Sequence, residues 1–145
     1  MEIATIGFTR KSAEEFFGIL RRAGVQRLID VRLHNASQLA GFTKKDDLAY
    51  FARELCGIEY IHEPLLAPTP DMLTAYRKLH RNWHEYETAF LELLARREIE
   101  KRLDRSQFNT LTVLLCSEQS AQHCHRRLVV EYLQRHWWSL DATHL

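Results

Sequence analysis

Short apolar runs suited to strands alternate with amphipathic segments suited to helices along this chain. That alternation predicts an α/β domain, a mostly parallel sheet flanked by helices with right-handed crossovers. Two further observations support it. The 145 residues, 46% of them hydrophobic, suffice for one core and are too few for two comfortable ones, so residues 1–145 are expected to form a single domain. Glycines and capping residues also fall where helices should start and stop.

Glu2 to Ile6 reads as a first strand and Gly7 to Lys11 as a turn. Ser12 to Arg22 is an amphipathic helix: Ser12 and Glu15 have capping-box spacing, Phe16, Phe17, Ile19, Leu20 and Ala23 form its apolar stripe, and Gly24 is placed to cap its end. Arg27 to Val31 follows as a strand, completing one βαβ unit. A polar loop from Arg32 to Thr43 precedes a helix from about Lys44 to Leu55, whose apolar face carries Leu48, Phe51, Ala52 and Leu55 and which Gly57 terminates. Glu59 to Ile61 is a short third strand. His62 to Pro70 holds all three prolines of the chain and is expected to be a stiff loop. Met72 to Leu79 and Tyr86 to Leu103 have helical periodicity, with a break expected around Asn82. Leu111 to Leu115 has the composition of a buried strand, Leu128, Val129, Tyr132 and Leu133 recur at helical spacing, and Trp138 to Leu145 could add an edge strand.

A formal charge of +1, from well-mixed acidic and basic residues, offers no global field for bulk nucleic-acid binding and leaves only a local basic pocket. The start of the chain lacks the pattern of a secretory leader, and no apolar run reaches membrane-spanning length, so a cytoplasmic protein without membrane association is expected. Three cysteines, an odd number in an ordinary core composition, do not form the disulfide framework of a small secreted domain and are read as reduced thiols.

The stretch from Leu114 to Tyr132 carries the most chemistry. Cys116, Glu118, His123, Cys124, His125, Arg126 and Arg127 lie there at a predicted strand-to-helix turn. Ligands of open α/β sheets bind beyond the carboxyl ends of strands, where helix N-termini present free N–H groups. The predicted topology would bring Gly7 to Arg10, Asp30, Arg32, His62 and the Cys116 to Arg126 turn to that same edge.

Several segments together resemble the domain-of-unknown-function 488 family: Thr5-Ile6-Gly7, Ser12 with Glu14-Glu15-Phe16, Asp30-Val31-Arg32, Gly41-Phe42-Thr43-Lys44, Gly57-Ile58-Glu59-Tyr60 with His62 and Pro64, and Cys116, Glu118 and Cys124-His125-Arg126. The ending is the most specific part, with two cysteines eight apart and a following His-Arg. Phe8-Thr9 and Leu66-Ala67 depart from the pattern. The resemblance implies a compact α/β domain of bacteria and archaea with no agreed activity.

Four readings of the cluster stand open. In a thiol enzyme, Cys116 or Cys124 is the nucleophile, Glu118, His123 or His125 moves the proton, and Arg32 and Arg126 clamp an anionic substrate while Asp30 orients an arginine. In a metal site, Cys116, Glu118, Cys124 and one histidine supply ligands suited to zinc, though without the tight CxxC spacing of zinc knuckles. In a non-catalytic module, Arg10, Arg32, Arg126 and helix N–H groups hold a nucleotide or nucleic-acid phosphate and Phe8, Phe42 or Tyr60 stacks on a base, with Gly7, Asp30 and His62 as further ligand-binding candidates. In the fourth, both thiols are packing residues and His125 is a hydrogen-bonded core histidine. Arg127, four residues before Glu131, reads as a surface ion pair. Cofactor, partner and oligomeric state are not legible at this level.

Overall fold

The computed structural model describes residues 1–36, 38–77, 82–118 and 121–145. Five strands form one all-parallel sheet: β1 (Glu2–Gly7), β2 (Arg27–Asp30), β3 (Glu59–His62), β4 (Thr112–Cys116) and β5 (Asp141–His144), in the order β3-β2-β4-β1-β5. β4 lies at the centre with every residue buried, as expected for a parallel strand covered on both faces. The C-terminal segment is the expected edge strand, with Glu2 opposite Asp141 and Thr5 opposite His144.

Strand alternation sorts the core into two layers. On one face Ala4, Ile6, Leu28, Val113 and Leu115 pack against helices α1 (Ala13–Ala23) and α2 (Lys45–Cys56). On the other, Ile3, Ile29, Val31, Leu114 and Cys116 pack against α4 (Trp83–Arg97), the short α5 (Ile99–Arg102) and α6 (His125–His136), with α3 (Pro70–Arg77) packed on α4. The chain moves from β1 to β2 to β3 in one direction and back through β4 to β5 in the other, so one handedness of crossover places the two helix sets on opposite faces.

The caps behave as the residues predict. The Ser12 side chain accepts from the Glu15 N–H, and Gly24 closes α1 in the left-handed region at φ 75°. Gly57 closes α2. Leu55, expected on the buried face of α2, is instead 48% exposed, because the last turn presents Cys56 to α1, its thiol 3.7 Å from the Phe17 carbonyl.

Two more differences concern helices. The helix expected over Met72 to Leu79 spans Pro70–Arg77, and Leu79 lies outside the described residues. The helix expected over Tyr86 to Leu103 begins earlier, at Trp83, because the Asn82 side chain caps the Glu85 N–H at 2.8 Å. It is also divided at Glu98, a left-handed residue at φ 50° that caps α4 and redirects the chain so that Ile99 and Leu103 enter the core. The proline-rich loop contains a 3-10 turn over Pro64–Leu66, anchored by Arg97, which donates to the Leu65 and Ala67 carbonyls at 2.8 and 2.7 Å. Among the described residues no helix is long and apolar enough to cross a membrane.

Gly7 ends β1 opposite Cys116 and lies hard against the connection that leaves β4. A Cβ there would fall 1.5 Å from the Glu118 carbonyl oxygen and 2.8 Å from Arg126 Nη1. Backbone cannot yield as a flexible side chain would, so Gly7→Ala is expected to cost about 3 kcal/mol. Urea unfolding measures this, and an unchanged midpoint would show that the two connections are not locked together.

Candidate functional site

Cys116 is the last residue of β4, Cys124 is the N-cap of α6 and His125 its first residue. Cys116 shares the face of Leu114, so its thiol points toward α6 and α4. Turning back into α6 brings Cys124 and His125 onto it. The Sγ atoms of both cysteines and a His125 ring nitrogen lie within 4.8 Å of one another, and the three residues are 3%, 2% and 6% exposed. Two soft thiols and an imidazole make a group that could bind a metal.

His125 Nε2 lies 2.8 Å from the Val31 carbonyl oxygen beyond the end of β2. A carbonyl only accepts, so Nε2 carries a hydrogen and donates it there. Cys116 Sγ lies 3.6 Å from Nδ1 and 4.0 Å from Nε2. Being nearly equidistant from both nitrogens, the sulfur sits off the Nδ1 lone-pair axis, against the part of the ring over which an imidazolium spreads its charge. Phe90 closes the other side of the ring edge-to-face at 5.4 Å.

The thiols are pushed apart in acidity. A hydrogen bond from the Cys124 thiol holds the Cys116 pKa well below the ordinary thiol range against the opposing effect of burial, and positive His125 adds to the shift. Cys124, donating to Cys116 and buried, is pushed up. Burial opposes the charged form of His125, but the Cys116 thiolate beside it and the Val31 carbonyl outweigh that and raise its pKa. These directions are the ones that favour a thiolate on Cys116, a charged ring on His125 and a neutral thiol on Cys124.

Beside this cluster is a narrow pocket, about 20 Å³ at the sulfur, lined by Tyr76, Arg77, Trp83, Tyr86, Glu118 and His123 as well as Cys116, Cys124 and His125. Trp83 stacks on His123 at 5.2 Å and on Tyr86 at 5.2 Å. The Tyr86 hydroxyl is kept protonated by burial and by the neighbouring Cys116 and Cys124.

The turn that brings the cysteines together is held from inside. Arg126, 1% exposed, donates through Nη1 to the Glu118 carbonyl and through Nε to the Thr5 hydroxyl at 3.3 Å. Thr9 donates its backbone N–H to the Ser117 carbonyl at 3.0 Å, and its hydroxyl donates to the same oxygen. The Glu118 carboxylate turns outward to Arg77 at 3.8 Å and takes no part in the thiol cluster.

Asp30 and Arg32 lie on the other face. Asp30 pairs with Leu115 in the sheet and so points toward α1 and α2. Arg32 grips it with two bonds, Nε to Oδ1 and Nη2 to Oδ2, both 2.9 Å, and donates to the Thr43 carbonyl at 2.7 Å with its guanidinium 5.4 Å from the Phe8 ring centroid. Tyr60 and Asn35 also donate to Asp30, at 2.6 and 3.3 Å. His62 Nε2 bonds the Arg32 carbonyl at 2.9 Å, and Arg10, exposed and left-handed at φ 64°, lies in the loop after β1.

A protein-family model, Domain of unknown function DUF488, matches residues 12–133. The chain belongs to this family. Searches of curated proteins and of solved structures found no match.

In this DUF488 domain the residues expected at one strand-end site thus divide into two clusters. Cys116, Cys124 and His125 come together on the α6 face, with Gly7 and Arg126 fixing the turn above them. Asp30, Arg32 and His62 are joined on the opposite side through side-chain and backbone bonds, with Arg10 apart from both. The Val31 carbonyl, Tyr86, Phe90 and Thr43 were not anticipated: a backbone carbonyl carries no sequence signal, and Tyr86 and Phe90 share the ordinary apolar stripe of α4. Arg127 forms the expected pair with Glu131, at 2.7 Å, and reaches Glu87 at 3.3 Å as well.

The Asp30 cluster makes its own prediction. Burial works against the carboxylate, but the Arg32 guanidinium and the Tyr60 hydroxyl outweigh it and lower its pKa. A lowered folded-state pKa gives stability that is present above the unfolded value, about 3.9, and lost as pH falls through the folded one. Asp30→Asn, which leaves Arg32 buried without its counter-charge, should lose about 3 kcal/mol at neutral pH. The gap to the parent should narrow as pH drops below about 4. Urea unfolding at several pH values checks this, and a pH-independent gap would contradict it.

Proposed function

We propose that this protein is a thiol-dependent catalyst in which Cys116 is the reactive thiolate, His125 its charge partner and proton source, and Cys124 a second thiol that donates to Cys116. The observation that carries the reading is the enclosed grouping of two thiols and an imidazole at the N-terminus of α6, with Nε2 of the imidazole committed to the Val31 carbonyl. A helix N-terminus and a neighbouring cation both favour thiolate over thiol. Attack by Cys116 Sγ on an electrophile would release a leaving group that takes its proton from His125.

The pocket at the sulfur is narrow, and it is lined by Arg77 and Glu118 as well as by Tyr76, Trp83 and Tyr86. An anionic group on a larger substrate would meet Arg77 and Arg127 near the rim, since Arg32 faces the other side of the sheet and Arg126 is used in the turn. None of the three cysteines is in a disulfide, which suits a reducing compartment such as the cytoplasm.

One distance favours a second reading, a zinc centre on Cys116, Cys124 and His125. The 3.6 Å between Cys116 Sγ and His125 Nδ1 matches the ligand-to-ligand edge of about 3.6 Å that ordinary Zn–S and Zn–N bonds give in a tetrahedral site. The Val31 carbonyl would orient the ring from behind, as carbonyls do for metal-bound histidines. Binding would require the ring or the Cys116 thiol to turn until the Nδ1 lone pair faces the ion.

Peptide-resolved iodoacetamide labelling against pH separates the readings. The thiolate reading expects Cys116 to label ahead of Cys124, at a rate that holds from about pH 8 to about pH 6. His125→Gln should slow that labelling about threefold or more at the lower pH, because loss of the neighbouring cation lets part of Cys116 reprotonate. Labelling that appears only after chelation, with one ion per chain in native mass spectra, would replace it with the zinc reading. Labelling of both residues only on unfolding would overturn both.

A further inference from the structure

We propose that the substrate of Cys116 is a small peroxide, and that Cys116 and Cys124 cycle between a dithiol and a disulfide while reducing it to water. The inference rests on the thiolate reading above and assigns it a substrate class.

Size supplies the first argument. The pocket beside Cys116 is narrow where it meets the sulfur, with about 20 Å³ open to the centre of a water-sized sphere, so a molecule close to water in size can reach it. Hydrogen peroxide adds one oxygen to a water, and few other electrophiles are so compact. Tyr76, Trp83 and Tyr86 line the pocket beside the sulfurs. Arg77 and Glu118 line it too and pair with each other at 3.8 Å, so their charges offset one another and an uncharged oxidant meets no net opposing charge.

The second argument is the second thiol. A nucleophile working by simple displacement needs no partner sulfur, yet here Cys124 is enclosed with Cys116 and His125 inside 4.8 Å. In the first step the Cys116 thiolate attacks one peroxide oxygen. The S–O bond forms, the O–O bond breaks, and the departing hydroxide takes a proton from the His125 imidazolium to leave as water. Cys116 is now a sulfenic acid. In the second step Cys124 gives its proton to the neutral imidazole and attacks the Cys116 sulfur. The S–S bond forms, the S–O bond breaks, and hydroxide takes that proton to leave as a second water. Two thiols and one peroxide become one disulfide and two waters, with two electrons passed to the oxidant. A small external thiol returns both cysteines to the reduced state by exchange.

The order of events is built into the pair. A thiolate sulfur is not an electrophile, whereas a sulfenic-acid sulfur is, so Cys124, grouped with Cys116 inside 4.8 Å, can attack only after Cys116 has been oxidised.

The experiment uses the intact reduced protein, hydrogen peroxide and cumene hydroperoxide, read by peptide mass spectrometry. Expected is a Cys116–Cys124 crosslink with Cys56 still free. Cys124→Ser should stop at a Cys116 sulfenic acid that dimedone traps, and Cys116→Ser should leave Cys124 reduced. Cumene hydroperoxide, far bulkier than hydrogen peroxide at the narrow approach to the sulfur, should react about tenfold more slowly or worse. If iodoacetamide labels Cys116 as the thiolate reading requires but peroxide leaves both cysteines reduced, the peroxide assignment fails and the thiolate reading stands. A crosslink to Cys56, or equal rates with the two peroxides, would also overturn the assignment. Inertness of Cys116 to both reagents would remove the thiolate reading itself.

Discussion

A guanidinium buried beneath the turn between β4 and α6 governs how the chemistry of this domain is assembled. Arg126 reaches back under its own helix to the Glu118 carbonyl and across to Thr5 of β1, while Gly7 leaves room for that carbonyl where any side chain would collide with it. Thr9 ties the same turn to the connection after β1. Ser117 and Glu118 are therefore tied to β1 and the connection after it, and Cys124 and His125 lie against the end of the central strand. Burying an arginine is expensive unless its donors are satisfied. Here that expense is offset by contacts that fix the turn, and the positions of two thiols and an imidazole depend on it.

The second consequence is electrostatic. Both faces of the sheet carry a buried cluster of ionisable side chains at the strand ends, and the two are built differently. Asp30 and Arg32 form a closed pair, with Thr43, Tyr60 and Asn35 completing the bonds on one face. Such a unit holds the loop after β2 in place and leaves little for a ligand to engage. On the other face Cys116 and His125 are paired loosely, with the sulfur off the lone-pair axis and a small cavity alongside. The backbone connects the two: β2 presents the Asp30 side chain to one face, and the carbonyl of the next residue, Val31, pins His125 on the other.

Much of the fold was legible in the residues. The alternation of periods identified the parallel sheet and its flanking helices, Ser12 and Glu15 marked the start of α1, and the C-terminal segment was readable as an edge strand. The break at Glu98 was not, because a left-handed glutamate is disfavoured locally and is chosen for where it sends Ile99 and Leu103. At the site, the Cys-His-Arg ending was conspicuous in sequence, but its separation from Asp30 and Arg32 depends on register. Asp30 opposes Leu115, so Cys116 shares a face with Val31 instead, and a shift of one residue would have reversed this. Arg126 and Arg32 have the composition of anion clamps, and only the tertiary structure shows their donors turned inward to Glu118, Thr5, Asp30 and Thr43.

The central claim is that Cys116 and His125 share charge as a thiolate–imidazolium pair. Nuclear magnetic resonance of the protein carrying ¹³C at cysteine Cβ and in the histidine rings reads both ionisations as pH is varied, without a reagent having to reach the buried sulfur. A shared charge requires that Cys116 ionise well below the ordinary thiol range and that His125 stay protonated above the usual value of about 6.5. Each residue's signal should also respond to the other's titration. A Cys116 that remains a thiol up to its ordinary range of about 8.5, beside a His125 that is neutral at pH 7, would contradict the account.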